Sequence, residues 1–163
     1  MAGALSVNVT LENDSALRKM RLFVARFPEA IDRATQEAAS FGKRLIIKST
    51  PVKTGDARKS WELDRGEKEH SFFIVSRTGR GANYTPYLEY GTGIYGPKKR
   101  PITPVNAKYL FYPIIKGNKI MGYRRRFSVR GIRPFGMIAN NVDKIQERLV
   151  SNIKKIVKSF GAA

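Results

Sequence analysis

Nine apolar side chains recur at alternating spacings of three and four early in the chain: Leu17, Met20, Val24, Phe27, Ile31, Ala34, Ala38, Phe41 and Leu45. That spacing places them on one face of a helix from about Ser15 to Ser49. Asn13-Asp14-Ser15 ahead of it supplies short oxygen-bearing side chains that accept from the free amides of a first turn. Pro28 interrupts the hydrogen-bond ladder without interrupting the stripe. A bent helix, or two helices with Pro28 in the first turn of the second, both fit. The small pair Ala34 and Ala38 lets a neighbouring element approach closely, and with the proline it argues against a long regular coiled coil. A second stripe closes the chain: Ile138, Val142, Ile145, Leu149, Ile153, Ile156 and Phe160. There Asp143 and Glu147 precede Lys154, Lys155 and Lys158, the order a helix dipole favours.

Between the helices the periodicity changes. Val7, Val9 and Leu11 alternate with polar residues, the pattern of a half-buried strand before the first helix. Thr50 to Asp56 is loop chemistry, with Pro51 disfavouring helix at Thr50 and Gly55 permitting a positive φ. Ser71 to Arg77 reads as a buried strand, Thr78 to Asn83 as a connection, and Tyr84 to Tyr90 as a short aromatic element ended by Gly91. Ile94 to Asn106 carries three prolines and three consecutive bases, so an exposed irregular loop is expected. Lys108 to Ile115 and Ile120 to Ile132 are strand-like, joined by a turn at Lys116-Gly117-Asn118-Lys119, and Pro113 pushes the first toward a sheet edge. The expected class is α+β, an antiparallel sheet flanked by a long N-terminal helix and a long C-terminal helix. A length of 163 residues suits one domain over 1–163, with a basic loop at about 94–106 and a basic hairpin at about 108–132.

Charge narrows the function. The formal net charge is +18, and it is unevenly placed. The 53 residues from Tyr90 to Val142 contain no Asp or Glu but hold eleven bases. A block without internal counter-charge repels itself and gains from an anionic partner, either phosphate or an acidic protein face. The chain has no Cys and a single histidine, His70, which excludes disulfides, a thiolate nucleophile and a Cys- or His-rich metal site. No secretion leader or run of 18 apolar residues is present, so neither export nor a membrane span is expected.

Sequence motifs give no catalytic set. Gly91-Thr92-Gly93-Ile94-Tyr95-Gly96 spells G-x-G-x-x-G, but Pro97-Lys98-Lys99-Arg100-Pro101 follows, which is not the helix that motif must open. Asp56 and Glu62 flank Arg58 and Lys59 and suit surface ion pairing; His70, at a strand entrance, suits a structural role. The expectation is no enzyme, no cofactor and no metal. Contact candidates lie elsewhere. Lys98, Lys99 and Arg100 form one basic cluster. In Tyr123-Arg124-Arg125-Arg126-Phe127-Ser128-Val129-Arg130 a strand puts Arg124, Arg126 and Arg130 on one face and Tyr123 and Arg125 on the other. Such a row positions a protein on phosphates or an acidic surface without reading base sequence; an edge strand guarded by charge is the plainer alternative.

Three short pieces then fall in a familiar order. Thr50-Pro51-Val52-Lys53-Thr54-Gly55-Asp56-Ala57-Arg58-Lys59-Ser60 follows the long helix, Tyr84-Thr85-Pro86-Tyr87-Leu88-Glu89-Tyr90-Gly91-Thr92-Gly93 follows a strand, and Arg133-Pro134-Phe135 opens the last helix. Together they resemble the neck, or tail-completion, proteins of long-tailed bacteriophages, the family that includes the minor tail protein Z of lambdoid phages. The resemblance implies a structural virion protein, made in the host bacterial cytoplasm, that forms a six-fold homo-oligomeric ring at the head–tail junction. It implies contacts with connector or stopper proteins, with tail-terminator or tail-tube proteins, and with genomic DNA in the channel. Tyr84, Tyr87, Glu89 and Tyr90 become packing or intersubunit candidates, with Glu89 expected to ion-pair with a base of the acid-free block. A related tail-terminator ring, and a sequence-independent nucleic-acid binder outside any virion, are the alternatives.

Overall fold

The stripe from Leu17 to Leu45 lies on one continuous helix, α1 (Asp14–Ser49), with Pro28 inside it. The fold is seen in a computed structural model that describes residues 14–52, 55–77, 83–116 and 119–161. The strand expected over Val7 to Leu11 lies outside the described residues, as do the turn residues Gly117 and Asn118. The C-terminal stripe forms α4 (Val142–Gly161), after a short 3-10 turn at Ala139–Asn141. Between the two long helices come α2 (Asp56–Lys59), β1 (Trp61–Arg65), β2 (Phe72–Ser76), α3 (Thr85–Tyr90), β3 (Leu110–Lys116) and β4 (Lys119–Arg126).

α4 packs along the second half of α1, where the small residues are. Ala34 and Ala38 are buried. At Gly42 a Cβ would come within 2.7 Å of the Ile145 side chain, so this crossing needs the absence of one. The Asn152 amide donates to the Ala34 carbonyl (3.3 Å), tying the two helices together. The front of the stripe departs from the expected core face. Met20 is 68% exposed and Val24 70%. Lengths explain Met20: α1 has 36 residues and α4 has 20, about 54 Å against about 30 Å, so α4 runs out at Phe160, level with Phe23. Val24 is exposed because α4 covers the Phe23 and Phe27 side of the helix instead. The Phe160 ring meets Phe23 edge-on at 5.0 Å, and Phe23 lies tilted against Phe27 at 4.6 Å.

β1 and β2 pair antiparallel, Trp61 opposite Ser76 through Arg65 opposite Phe72. Their inner face lies on the end of α1, where Ile46, Trp61 and Met137 form the buried core with Ile47, Ile74 and Leu88 packed around it. The Trp61 indole Nε1–H donates to Thr50 Oγ1 (2.9 Å), and that hydroxyl donates to the Ile46 carbonyl (2.7 Å). Among the described residues no buried side-chain nitrogen or oxygen is left without a partner. β2 is half-buried rather than fully buried, because α1 covers only one face; Phe73 on the other face is 57% exposed.

The class is α+β, with its strands divided between two separate two-stranded sheets. β3 and β4 form a second antiparallel pair with a bulge between Ile114 and Ile115. Each strand of a two-stranded ribbon is an edge, which accommodates Pro113. β4 ends at Arg126, earlier than the expected Ile132. Val129 instead pairs with Ile102 through two backbone hydrogen bonds of 2.8 and 3.0 Å, which fastens the foot of this arm to the end of the basic loop.

Candidate functional site

α3 follows from local chemistry. Asn83 Oδ1 accepts from the Thr85 amide (3.1 Å), Pro86 sits in the first turn where its missing N–H costs nothing, and Gly91 stops the helix at φ 75°. The short helix has two faces. Tyr87 and Tyr90 are exposed, whereas Thr85 and Glu89 are buried. Glu89 does not make the ion pair expected of it. Its Oε2 accepts the Ile138 amide (2.9 Å) and its Oε1 the Ala139 amide (3.0 Å), so the carboxylate caps the 3-10 turn that leads into α4. Unsatisfied amides at a helix start attract an anion, and here a side chain 49 residues away supplies it.

The three glycines of the rejected motif serve close backbone approach. Thr92 N–H donates to the Ile132 carbonyl, Ile94 N–H to the Arg130 carbonyl (2.9 Å each), and Ile132 N–H to Thr92 Oγ1 (3.0 Å). A Cβ on Gly93 would lie 2.1 Å from the Arg130 carbonyl oxygen, and one on Gly131 2.1 Å from that of Thr92. Both also hold positive φ, 63° and 91°. Nothing there opens a helix onto a phosphate.

This backbone crossing brings two groups of candidates together. Tyr87 and Tyr90 from α3 share one groove of about 560 Å³ with Lys98 and Arg100 of the basic loop, over a floor that includes Gly93 and Ile102. Lys99 is exposed in a left-handed conformation (φ 50°) and is not among the groove's lining residues. Tyr84 lies apart, in a smaller cleft with Val52, Leu88 and Phe135. The Phe135 amide donates to the Leu88 carbonyl (2.9 Å), so the Arg133-Pro134-Phe135 piece packs directly onto α3.

On the arm, register opposes Leu110 to Arg126 and Phe111 to Arg125. Arg124 and Arg126 share one face as expected, and Arg125 lies on the other with its guanidinium 5.8 Å from the Phe111 ring centre. Arg130 does not extend that row. It falls beyond the end of β4, at the crossing with Gly93, because the chain leaves the ribbon after Arg126.

Of the acids outside the basic block, Glu62 makes the expected surface ion pair, with Arg77 as its partner. Arg58 Nε donates to the Thr50 carbonyl (2.9 Å), while Glu62 and Asp64 both hold Arg77 from across the β1–β2 ribbon. The hydrogen bond from Arg77 holds the Asp64 carboxyl below its ordinary value, and the same contacts push the guanidinium up. Asp32 on α1 takes Arg65 (3.0 Å) and His70 Nδ1 (3.3 Å), so His70 joins the β1–β2 turn to the helix. Among the described residues no group of acids and His is arranged to hold a metal, and no helix is long and apolar enough to cross a membrane.

The described residues present a helix-backed core, a groove lined by aromatic and basic side chains, and a basic arm. Residues 14–91 match the model of the HK97-gp10-like family, described as "Bacteriophage HK97-gp10, putative tail-component". The match covers α1, β1–β2 and α3, just under half of the chain, and it is to a family of phage tail components, the class named by the resemblance. No curated protein and no solved structure matches the chain.

Proposed function

We propose that this chain is a structural protein of a tailed-phage virion that closes into a ring at the head–tail junction, completing the tail and joining it to the DNA-filled head. It performs no catalysis and uses no cofactor; its chemistry is surface recognition. Ring neighbours are further copies of itself, six in a closed ring. Above and below it lie connector or stopper proteins and tail-terminator or tail-tube proteins, with DNA passing through the channel.

The observation that carries the reading is where the acid-free block lies. Lys98, Lys99, Arg100, Arg124 and Arg130 are all exposed, on a loop and arm outside the helix-backed core. A collar of such copies is strongly cationic and is tolerable only beside DNA or acidic rings. The tail-component match supplies the virion context.

Negative-stain imaging and mass measurement of the purified chain, alone and mixed with tail tubes and connectors, test it. Rings, or a monomer that assembles only on those partners, are expected, with weak affinity for free DNA. A solitary chain that ignores tail and connector and binds free duplex with a steep salt dependence overturns the reading.

A further inference from the structure

The β3–β4 arm is a ribbon whose two faces are both open. Among the described residues it packs extensively only on itself, and a lone two-stranded hairpin is marginal in water. Its aromatic face carries Phe111 opposite Arg125 and Pro113 opposite Tyr123. Phe111 is 60% exposed and Tyr123 64%. Large apolar side chains gathered on a projecting element mark a surface that is covered in the working state.

The outer face of β1–β2 has the matching character. Register places Glu62 opposite Val75 and Asp64 opposite Phe73, and α1 lies against the other face. Residues 62–69 hold four acids and two bases, the reverse of the chain as a whole. One of those bases, Arg65, is tied back to Asp32. Arg77 is shared by Glu62 and Asp64, which leaves an excess of negative charge beside the exposed Phe73 ring.

We propose that the aromatic face of the arm docks on the outer β1–β2 face of a second copy of this chain. Phe111 and Tyr123 cover Phe73 and Val75, and Arg125 comes beside Glu62 and Asp64. The inference rests on the ring reading and specifies its subunit contact. Donor and acceptor are different patches of one chain, so the contact is heterologous, the kind that closes rings. Phosphates would satisfy Arg125 but leave the aromatic rings in water, whereas an acidic and apolar protein face covers both. Arg124, on the opposite face of β4, is left outward for whatever the ring surrounds.

The chain has no cysteine, so introduced thiols report this contact without background. Full-length Tyr123→Cys and Phe73→Cys variants, both at exposed positions, are purified separately, mixed, and oxidised. Light scattering gives the assembly mass, and Trp61 fluorescence confirms that each variant is folded. The expected result is a mixed disulfide dimer well above the level from either variant alone. Adding Arg125→Glu to the Tyr123→Cys chain should lower its yield about tenfold, in line with the loss of a close interfacial charge pair. Rings that assemble without this cross-link overturn the inference and leave the ring reading standing. A chain that stays monomeric, alone and with its partners, overturns both. A monomer whose duplex-DNA affinity is lost with Phe111→Ala and Tyr123→Ala replaces the protein contact with a nucleic-acid one.

Discussion

Glu89 Oε2 accepts the backbone amide of Ile138 at 2.9 Å, joining the short helix α3 to the start of the C-terminal helix. Its other oxygen takes the Ala139 amide. Glu89→Ala leaves both amides without that acceptor, at a cost of about 2 kcal/mol. Glu89→Gln keeps one acceptor oxygen and loses the charge, costing about 1 kcal/mol. Urea denaturation of the two variants checks the order. An Ala variant as stable as the native chain would show that water replaces the cap without loss.

The hydroxyl of Thr50 performs a comparable task in the core. It accepts from Trp61 and donates to the Ile46 carbonyl, with Thr50 1% exposed. Thr50→Val keeps the shape and removes both bonds, leaving a buried indole N–H unpaired, and should cost about 2 kcal/mol. Thr50→Ser keeps the hydroxyl and loses one methyl, about 1 kcal/mol. Trp61 is the only tryptophan in the chain, so its emission reports the change directly, and equal losses in the two variants would contradict the role given to the hydrogen bond.

Glycine at 131 is required twice over, by φ and by space. Gly131→Ala drives a Cβ to 2.1 Å from the Thr92 carbonyl oxygen at φ 91°, a loss of about 3 kcal/mol. Gly55→Ala is the control: φ is 89°, with nothing near the added methyl, so only backbone strain of about 1 kcal/mol remains. Thermal melts should separate the two. Similar values would mean that the crossing of Gly93 and Gly131 relaxes easily, and that the groove beside Tyr87 and Tyr90 is not rigid.

Periodicity made the two long helices legible, because a stripe of 3.6 survives even a proline such as Pro28. Ala34 and Ala38 correctly marked where α4 comes close, since only small side chains permit it. The exposed end of α1 was not legible. Periodicity records that Met20 and Val24 share a face, not that α4 ends level with Phe23, short of Met20, and covers the Phe23 and Phe27 side rather than Val24. Alternation and β-branched content make β2, β3 and most of β4 legible as strands, though not the end of β4 at Arg126, and the division into two ribbons depends on which face a helix covers. At the candidate site, Tyr87, Tyr90, Lys98 and Arg100 were each singled out, yet their shared groove depends on a glycine crossing with no signature beyond the glycines themselves. Sequence suggests an ion pair for Glu89 because charge patterns show only side chains, whereas its partners here are two backbone amides.

Acid should reveal the Arg77 clamp. The hydrogen bond from Arg77 lowers the Asp64 carboxyl below its ordinary 3.8. A depressed folded-state value means the stabilisation is present above that ordinary value and fades as pH falls through the folded one. Arg77→Met should therefore be slightly less stable than the native chain at neutral pH, and the difference should vanish toward pH 2. Urea midpoints across that range test the convergence; a gap that widens in acid would assign the contribution to other groups.

The arm's charge can be separated from the chain's. Arg124→Glu and Arg126→Glu on the arm, with Arg130→Glu at its foot, together change the net charge by six units at exposed positions outside the helix-backed core. Exposed substitutions of this kind cost within about 0.5 kcal/mol each, so the melting transition should move little. Head–tail joining, scored as infectious particles from separately prepared heads and tails, should fall by at least about tenfold, as expected when several close charge contacts are reversed. Lys144→Glu, Lys154→Glu and Lys155→Glu impose the same change on exposed positions of α4. If bulk charge governed joining, the two triple variants would fail alike. If the arm is the contact surface, only the first fails, and raising the ionic strength should weaken native joining while narrowing the difference between native and arm variant.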